Sequence, residues 1–390
     1  MDLHVNRLHP LRPDRWRSQS LMTACVIGGT LVASHFLKAL VDLRPDSVDF
    51  VIFYRSVQRW LAGGALYDPS GATINYSAPQ FHLALLPFAR LPLPVAFVAW
   101  TAVTVLAAAG TLAIVMRECA GHWDQARCRL FFAAVLLCAG TGAVVHLGQV
   151  GWIVALITTL AWGAARHSRW RAAGLWLGCA AALKPFLLLF FLVLLVRRRW
   201  RALWFAAVAF AASIAIGAGV FGADALRDWI ALLGAGAPPG QMSYFINASL
   251  PAILVRAGMA GSVALGSGLL VAVVSGWATR TIEEDLAWVI GLTCAILASP
   301  LGWIYYVPLL AAPLAGAATE GRLPGSTWRI WPLLAFPAFS RELFQSTPML
   351  AVSAGSLYSW ALLLLCAASV RAGGPATGTK PPGSANSAQN

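Results

Sequence analysis

Long apolar runs separated by short arginine clusters restrict what this chain can fold into more than any other feature. From Leu21 a stretch of about 20 residues, long enough to cross the hydrocarbon core of a bilayer, follows Arg12, Arg15 and Arg17. Comparable runs recur at 94–116, 130–145, 152–165, 172–196, 202–221, 262–278, 286–299, 304–319, 330–346 and 350–370. Of the 390 residues, 59% are hydrophobic and 11% charged, whereas soluble domains carry about a quarter charged residues. The chain therefore reads as an all-α, polytopic transmembrane bundle of about 10–12 spans.

The net charge of +13 comes mostly from Arg, with Lys only at 38, 184 and 380. A basic balance can signal nucleic acid, but these Arg residues sit in short loops between apolar runs. That is the positive-inside pattern of a membrane protein, and no nucleic-acid partner is expected. Seven cysteines lack metal-ligand spacing and mostly fall within or beside apolar runs, so neither a zinc site nor a disulfide framework is expected. The first run has no convincing small-residue cleavage site and reads as an uncleaved span.

Tracing the arginine clusters gives a basic cytoplasmic N-terminus at 1–20, a transmembrane domain at 21–370 with a long first extracytoplasmic loop at 42–93, and a Gly/Pro/Ser/Asn-rich disordered cytoplasmic tail at 371–390. The run 172–196 is long enough for one helix of about 37 Å. A single pass, however, would place RRRWR (197–201) outside and invert every later loop. Lys184-Pro185 stands at its middle, where Pro breaks a helix and a midplane Lys is costly. A short hairpin with Lys184-Pro185 at its tip resolves both conflicts. The Asp49 stretch, HLGQVG (146–151), the Lys184 tip, FINASLP and SPLGWIYY then all face the extracytoplasmic side, which indicates one shared cavity.

Within DFVIFYRSVQRWLAGGALYD (49–68), Arg55 and Arg59 lie four residues apart on one helical face, and Phe50, Phe53, Tyr54, Val57, Trp60 and Leu61 form an apolar one. This is an interfacial helix in contact with membrane lipid; it also reads as a structural anchor between two spans. Asp49 is a candidate general base beside apolar surface, or simply a helix N-cap. Lys184 is a point charge suited to a phosphate, or a side chain snorkelling to the interface. His146 and Gln149 can hydrogen-bond a sugar hydroxyl or satisfy helix ends. Trp303, Tyr305 and Tyr306 offer stacking faces and hydroxyls, or an aromatic belt. Asn247 begins an Asn-Ala-Ser triplet, a weak match to a glycosylation acceptor. The chain contains no Walker loop, dinucleotide fingerprint or carboxylate cluster for Mg²⁺, so no metal or cofactor is expected. An enzyme facing away from the nucleotide pool needs a substrate already activated in the membrane, and a lipid-phosphate donor fits.

In order and spacing, DFVIFYRSVQRWLAGGALYD, FHLALLPFARLP, HLGQVGWIVAL, AAGLWLGCAAALKPFLLLFFLVLLVRRRWRA, INASL and SPLGWIYYVPLL resemble glycosyltransferase family 87 of the GT-C superfamily. The resemblance covers about residues 45–315 and implies a polyprenyl-phosphate sugar donor, mannose favoured, and a glycolipid or glycan acceptor outside the cytoplasmic membrane. It implies that Asp49 is the base of an inverting transfer, that Lys184, with Arg55, binds the donor phosphate, and that His146, Gln149, Asn247, Trp303, Tyr305 and Tyr306 line the substrate cavity. Where the best-known members carry a His pair after the SP…W motif, this chain has Tyr305-Tyr306, which brings no positive charge near neutral pH. The rival expectations are a transporter or flippase of a lipid-linked sugar and an inactive accessory subunit that binds one.

Overall fold

The first apolar run folds as α1 (Pro13–Val41), and α2 (Asp49–Leu61) follows it as a short amphipathic helix. The structure, a computed structural model, describes residues 13–44, 47–68, 75–323, 330–335 and 347–373. The first twelve residues of the expected basic N-terminus and residues 374–390 of the expected tail lie outside this range, as does most of the expected span 330–346.

After α2 the Pro-broken outer segment forms two 3-10 turns, Pro79–Leu85 and Phe88–Arg90. Then come α3 (Leu93–Glu118), α4 (Gln125–Leu137), α5 (Ala139–Leu147), α6 (Gly151–Arg166) and α7 (Trp170–Leu183). Lys184 and a 3-10 turn, Pro185–Phe190, lead to α8 (Phe191–Val196), α9 (Trp200–Phe221), α10 (Ala223–Ala235), α11 (Pro239–Met242) and α12 (Leu250–Arg256). The path continues through α13 (Gly261–Ala278), α14 (Glu284–Ala298), a 3-10 turn at Ile304–Leu310 and α15 (Ala311–Thr319), and the last described helix is Leu357–Gly373. Among the described residues no strand forms; one isolated antiparallel bridge joins Asn247 to Trp303.

Among the described residues five helical segments are long and apolar enough to cross a membrane, and the pair α4–α5, bent by 48° at Cys138, makes a sixth if counted as one span. The expected 10–12 spans were counted from apolar runs alone. Several of those runs are shorter helices, and α6 and α14, with 16 and 15 residues, lie mostly inside the bundle. Every residue of α14 from Asp285 to Ala298 is buried. A helix walled by protein need not match the thickness of the bilayer. By contrast α1, α9 and α13 present Leu31, Leu37, Trp204, Leu269 and Val274 outward, an apolar exterior that suits lipid and would aggregate in water.

The Lys-Pro hairpin follows from helix packing. Gly174 of α7 meets Ala202 of α9 and, one turn on, Gly178 meets Ala206, so α7 and α9 run parallel. Residues 184–198 must therefore travel back along the bundle between them. Arg199 returns to the start of α7, its guanidinium 4.0 Å from the centre of the Trp170 ring. Arg197 there donates to the carbonyls of Thr279 and Ile282 and pairs with Glu284 at 2.9 Å. Nearby, Arg166 pairs with Asp285 at 3.1 Å and Glu320 at 3.6 Å. One end of the bundle is thus an arginine-rich lock, and the opposite end holds Asp49, Gln149, Lys184 and Tyr305.

Candidate active site

Asp49 is the first residue of α2, and the cap position before it is Val48, which makes no side-chain cap bond. The carboxylate is therefore not consumed in closing the helix. Instead Oδ2 accepts a 2.5 Å hydrogen bond from Gln149 Nε2, and Asp49 as a residue is half-buried. Burial among apolar neighbours pushes the Asp49 carboxyl above the usual carboxylate range; the Gln149 hydrogen bond, Lys184 and His146 oppose that shift.

The Gly-Gln-Val-Gly turn explains how Gln149 reaches it. Gly148 caps α5 in the left-handed region at φ +64°, and a Cβ there would fall 2.5 Å from Phe50 Cβ. A Cβ on Gly151 would fall 2.2 Å from the Tyr305 carbonyl oxygen. Two glycines thus let α2 approach on one side and the Ile304–Leu310 turn on the other. The Trp100 indole N–H donates to the Gly148 carbonyl at 2.8 Å and fixes the turn from α3.

Lys184 is nearly buried, 9% exposed. Among the described residues its ammonium has no ion-pair or hydrogen-bond partner; Nζ lies 5.4, 5.8 and 5.9 Å from the ring centres of Phe81, Tyr306 and Phe53. Three π-faces stabilise the cation without neutralising it. The hairpin tip is held from outside: Gln80 Nε2 donates to the Ala182 carbonyl at 2.7 Å, satisfying an open acceptor in the last turn of α7. Tyr306 also packs on Phe186, ring centres 4.5 Å apart, and Tyr305 stacks on Trp303 at 6.0 Å.

The other expected residues fall in different places. His146 Nδ1–H donates to the His35 carbonyl at 3.3 Å, and its ring stands 5.8 Å from the His35 ring. Asn247 is fully buried; its amide donates to the Met242 and Pro300 carbonyls and accepts from Ser249 N–H, which ties its loop to the turn before Trp303. Arg256 clamps the same loop through the carbonyls of Ser243, Tyr244 and Asn247. Arg55 is exposed on the face of α2 away from Phe53, so α2 does not bring it beside Lys184.

Sequence reasoning missed the Asn75–His82 pair. The Asn75 amide donates to Ser56 Oγ at 3.0 Å and to His82 Nε2 at 2.7 Å, and His82 Nδ1–H donates to the Ala78 carbonyl at 3.1 Å. It also missed Gln80 and the rings around Lys184. Their only signal was a concentration of polar groups within a Pro-broken loop. Among the described residues Glu283, Asp285 and Glu320 form an acidic trio, but it lies at the arginine end, where Arg166 and Arg322 pair with it.

A sequence model of glycosyltransferase family 87 matches residues 78–300, more than half of the chain. The chain belongs to glycosyltransferase family 87. The family match takes in Gln149, Lys184 and Asn247 and leaves Asp49 and Trp303 outside. Two curated relatives align over more residues than the family match. A polyprenol-phosphate-mannose-dependent alpha-(1-2)-phosphatidylinositol mannoside mannosyltransferase of Mycobacterium tuberculosis is 25% identical over 292 residues, 67% of this chain and 68% of the relative. A polyprenol-phosphate-mannose-dependent alpha-(1-2)-phosphatidylinositol pentamannoside mannosyltransferase of Mycolicibacterium smegmatis is 26% identical over 322 residues, 76% of this chain and 77% of the relative.

Proposed function

We propose that this family 87 glycosyltransferase moves a hexose, mannose first, from a polyprenyl-phosphate sugar to a hydroxyl of a glycolipid or glycan, with inversion, outside the cytoplasmic membrane. The donor class is supported by the names of the two mycobacterial relatives, and a glycolipid acceptor by their phosphatidylinositol mannosides. The orientation is supported by the arginine clusters at the end away from Asp49.

The observation that carries the chemistry is a half-buried carboxylate close enough to a cation for mutual electrostatic influence, the cation having no ion-pair partner among the described residues. The acceptor oxygen bonds to the anomeric carbon as the bond from that carbon to the phosphate oxygen breaks. Asp49 takes the acceptor proton, and the electron pair leaves with the polyprenyl phosphate beside Lys184, whose charge stabilises it. The Tyr306 and Phe81 rings hold the ammonium without competing for it as an anion would.

Transfer of radiolabelled mannose from synthetic polyprenyl-phosphate mannose, in membranes carrying the wild-type protein, Asp49→Asn or Lys184→Met, tests this reading. Loss of a general base lowers the rate by about 10²–10⁴-fold, and loss of the cation lowers it by about 10²-fold or more. If the wild-type protein is silent with every polyprenyl-phosphate sugar tried, transport or an accessory role replaces the enzyme reading for this donor class.

A further inference from the structure

Gln149 is 2% exposed, and its side-chain oxygen, also buried, has no hydrogen-bond partner among the described residues. Its Nε2–H makes the 2.5 Å bond to Asp49 Oδ2. An unsatisfied buried acceptor is costly, so packing alone does not account for this orientation of the amide. Gln149 is turned toward the carboxylate while its own oxygen goes without. It has little freedom to do otherwise, since Gly148 presses on Phe50, Gly151 on the Tyr305 backbone, and Trp100 holds the Gly148 carbonyl. The bond occupies Oδ2. Among the described residues no protein group bonds Oδ1, and Asp49 as a residue is half-buried.

We infer that Gln149 is the positioning residue of the transfer: it fixes the Asp49 carboxylate so that Oδ1 is the oxygen that takes the acceptor proton. This rests on Asp49 being the base. It differs from a sugar-binding role because the amide is spent on Asp49 and closed to solvent. A carboxylate free to rotate presents Oδ1 to the acceptor only part of the time, and misplacement of about 1 Å costs about 10²-fold in rate. The lone N–H donor also favours the ionised form, so its removal raises the pH at which the base becomes available.

The test is the pH dependence of kcat/KM for mannosyl transfer by the full chain in proteoliposomes, with synthetic polyprenyl-phosphate mannose as donor. Gln149→Leu is expected to lower kcat by about 10–100-fold, to leave the donor KM unchanged, and to move the acid limb to higher pH. Gln149→Glu keeps the shape and sets a second carboxyl against Asp49. The two then share a proton, so the acid limb splits into two steps, one below and one above the wild-type pH. If Gln149→Leu does not fold, the isosteric Glu variant decides alone. Acid limbs that stay at the wild-type pH overturn the inference, because a merely structural Gln149 would change the amount of folded protein and not the limb. Asp49→Asn separates the two levels. If it is dead while the Gln149 limbs stay fixed, only this inference fails; if it transfers at the wild-type rate, the base assignment fails and this inference with it.

Discussion

His82 shows how a buried side chain next to the site can set the pH range of the fold without taking part in the chemistry. It is fully buried between Asn75 and the Ala78 carbonyl, and burial pushes its imidazole down to about 4 from 6.5. The folded protein holds it neutral, while the unfolded chain takes up a proton as soon as the pH drops below 6.5. The contribution is therefore complete above pH 6.5 and is lost as the pH falls toward 4. The thermal midpoint of purified protein in detergent should fall over that window, and His82→Gln, which has no proton to take up, should fall less steeply. Equal slopes would mean that other groups govern the acid limit. His82 belongs to the turn that supplies Phe81 to Lys184, so loosening there reaches the site through one neighbouring residue.

The α7–hairpin–α9 unit holds Lys184 at a fixed depth by close backbone packing. A Cβ on Gly178 would sit 2.3 Å from the Ala206 carbonyl oxygen, inside contact distance, whereas one on Gly163 of α6 meets nothing within 4 Å. The same substitution should therefore have opposite signs at the two sites. Gly163→Ala gains about 0.5–1 kcal/mol from helix propensity. Gly178→Ala forces the helices apart at a cost of about 1–3 kcal/mol and, because Lys184 caps α7, raises the donor KM. Thermal unfolding and donor titration of the two variants measure this, and equal behaviour would show that α7 and α9 do not pack through Gly178. At the other end of the unit Arg197 and Arg199 share Glu284, so the return strand of the hairpin is pinned where α9 begins.

Across the whole molecule, polar groups segregate to two ends of an apolar bundle. The arginine end is closed by Arg166, Arg197 and Arg199 on acidic partners, and the other end carries the candidate site under the amphipathic α2. A catalytic end outside the cytoplasmic membrane makes a direct prediction. In intact cells a membrane-impermeant maleimide should label Arg55→Cys on the exposed face of α2, and should label Arg201→Cys at the start of α9 only after lysis. The seven native cysteines, none of them fully exposed, set a low background. The reverse pattern would turn the protein over and require a donor presented from the cytoplasmic side.

The helical, membrane-spanning character of this chain was legible in its sequence, because apolar length is a local property that a bilayer reads directly. The sequence also singled out Asp49 and Lys184 as candidates, since a charge in so apolar a chain has few structural uses, and it anticipated the return at Lys184-Pro185 from the position of RRRWR. The number of full-length crossings was not legible, because a run of 15 apolar residues looks the same whether it faces lipid or, like α14, protein on every side. Nor were the partners of each polar group. Asn247 tied to its own loop, Arg55 turned outward, His82 neutral and Gln149 bent to Asp49 all depend on which helices glycines such as Gly148, Gly151 and Gly178 allow to meet. Some of those contacts, such as Gln149 with Asp49 and Gly151 with Tyr305, join residues a hundred or more positions apart, and only the folded chain brings them together.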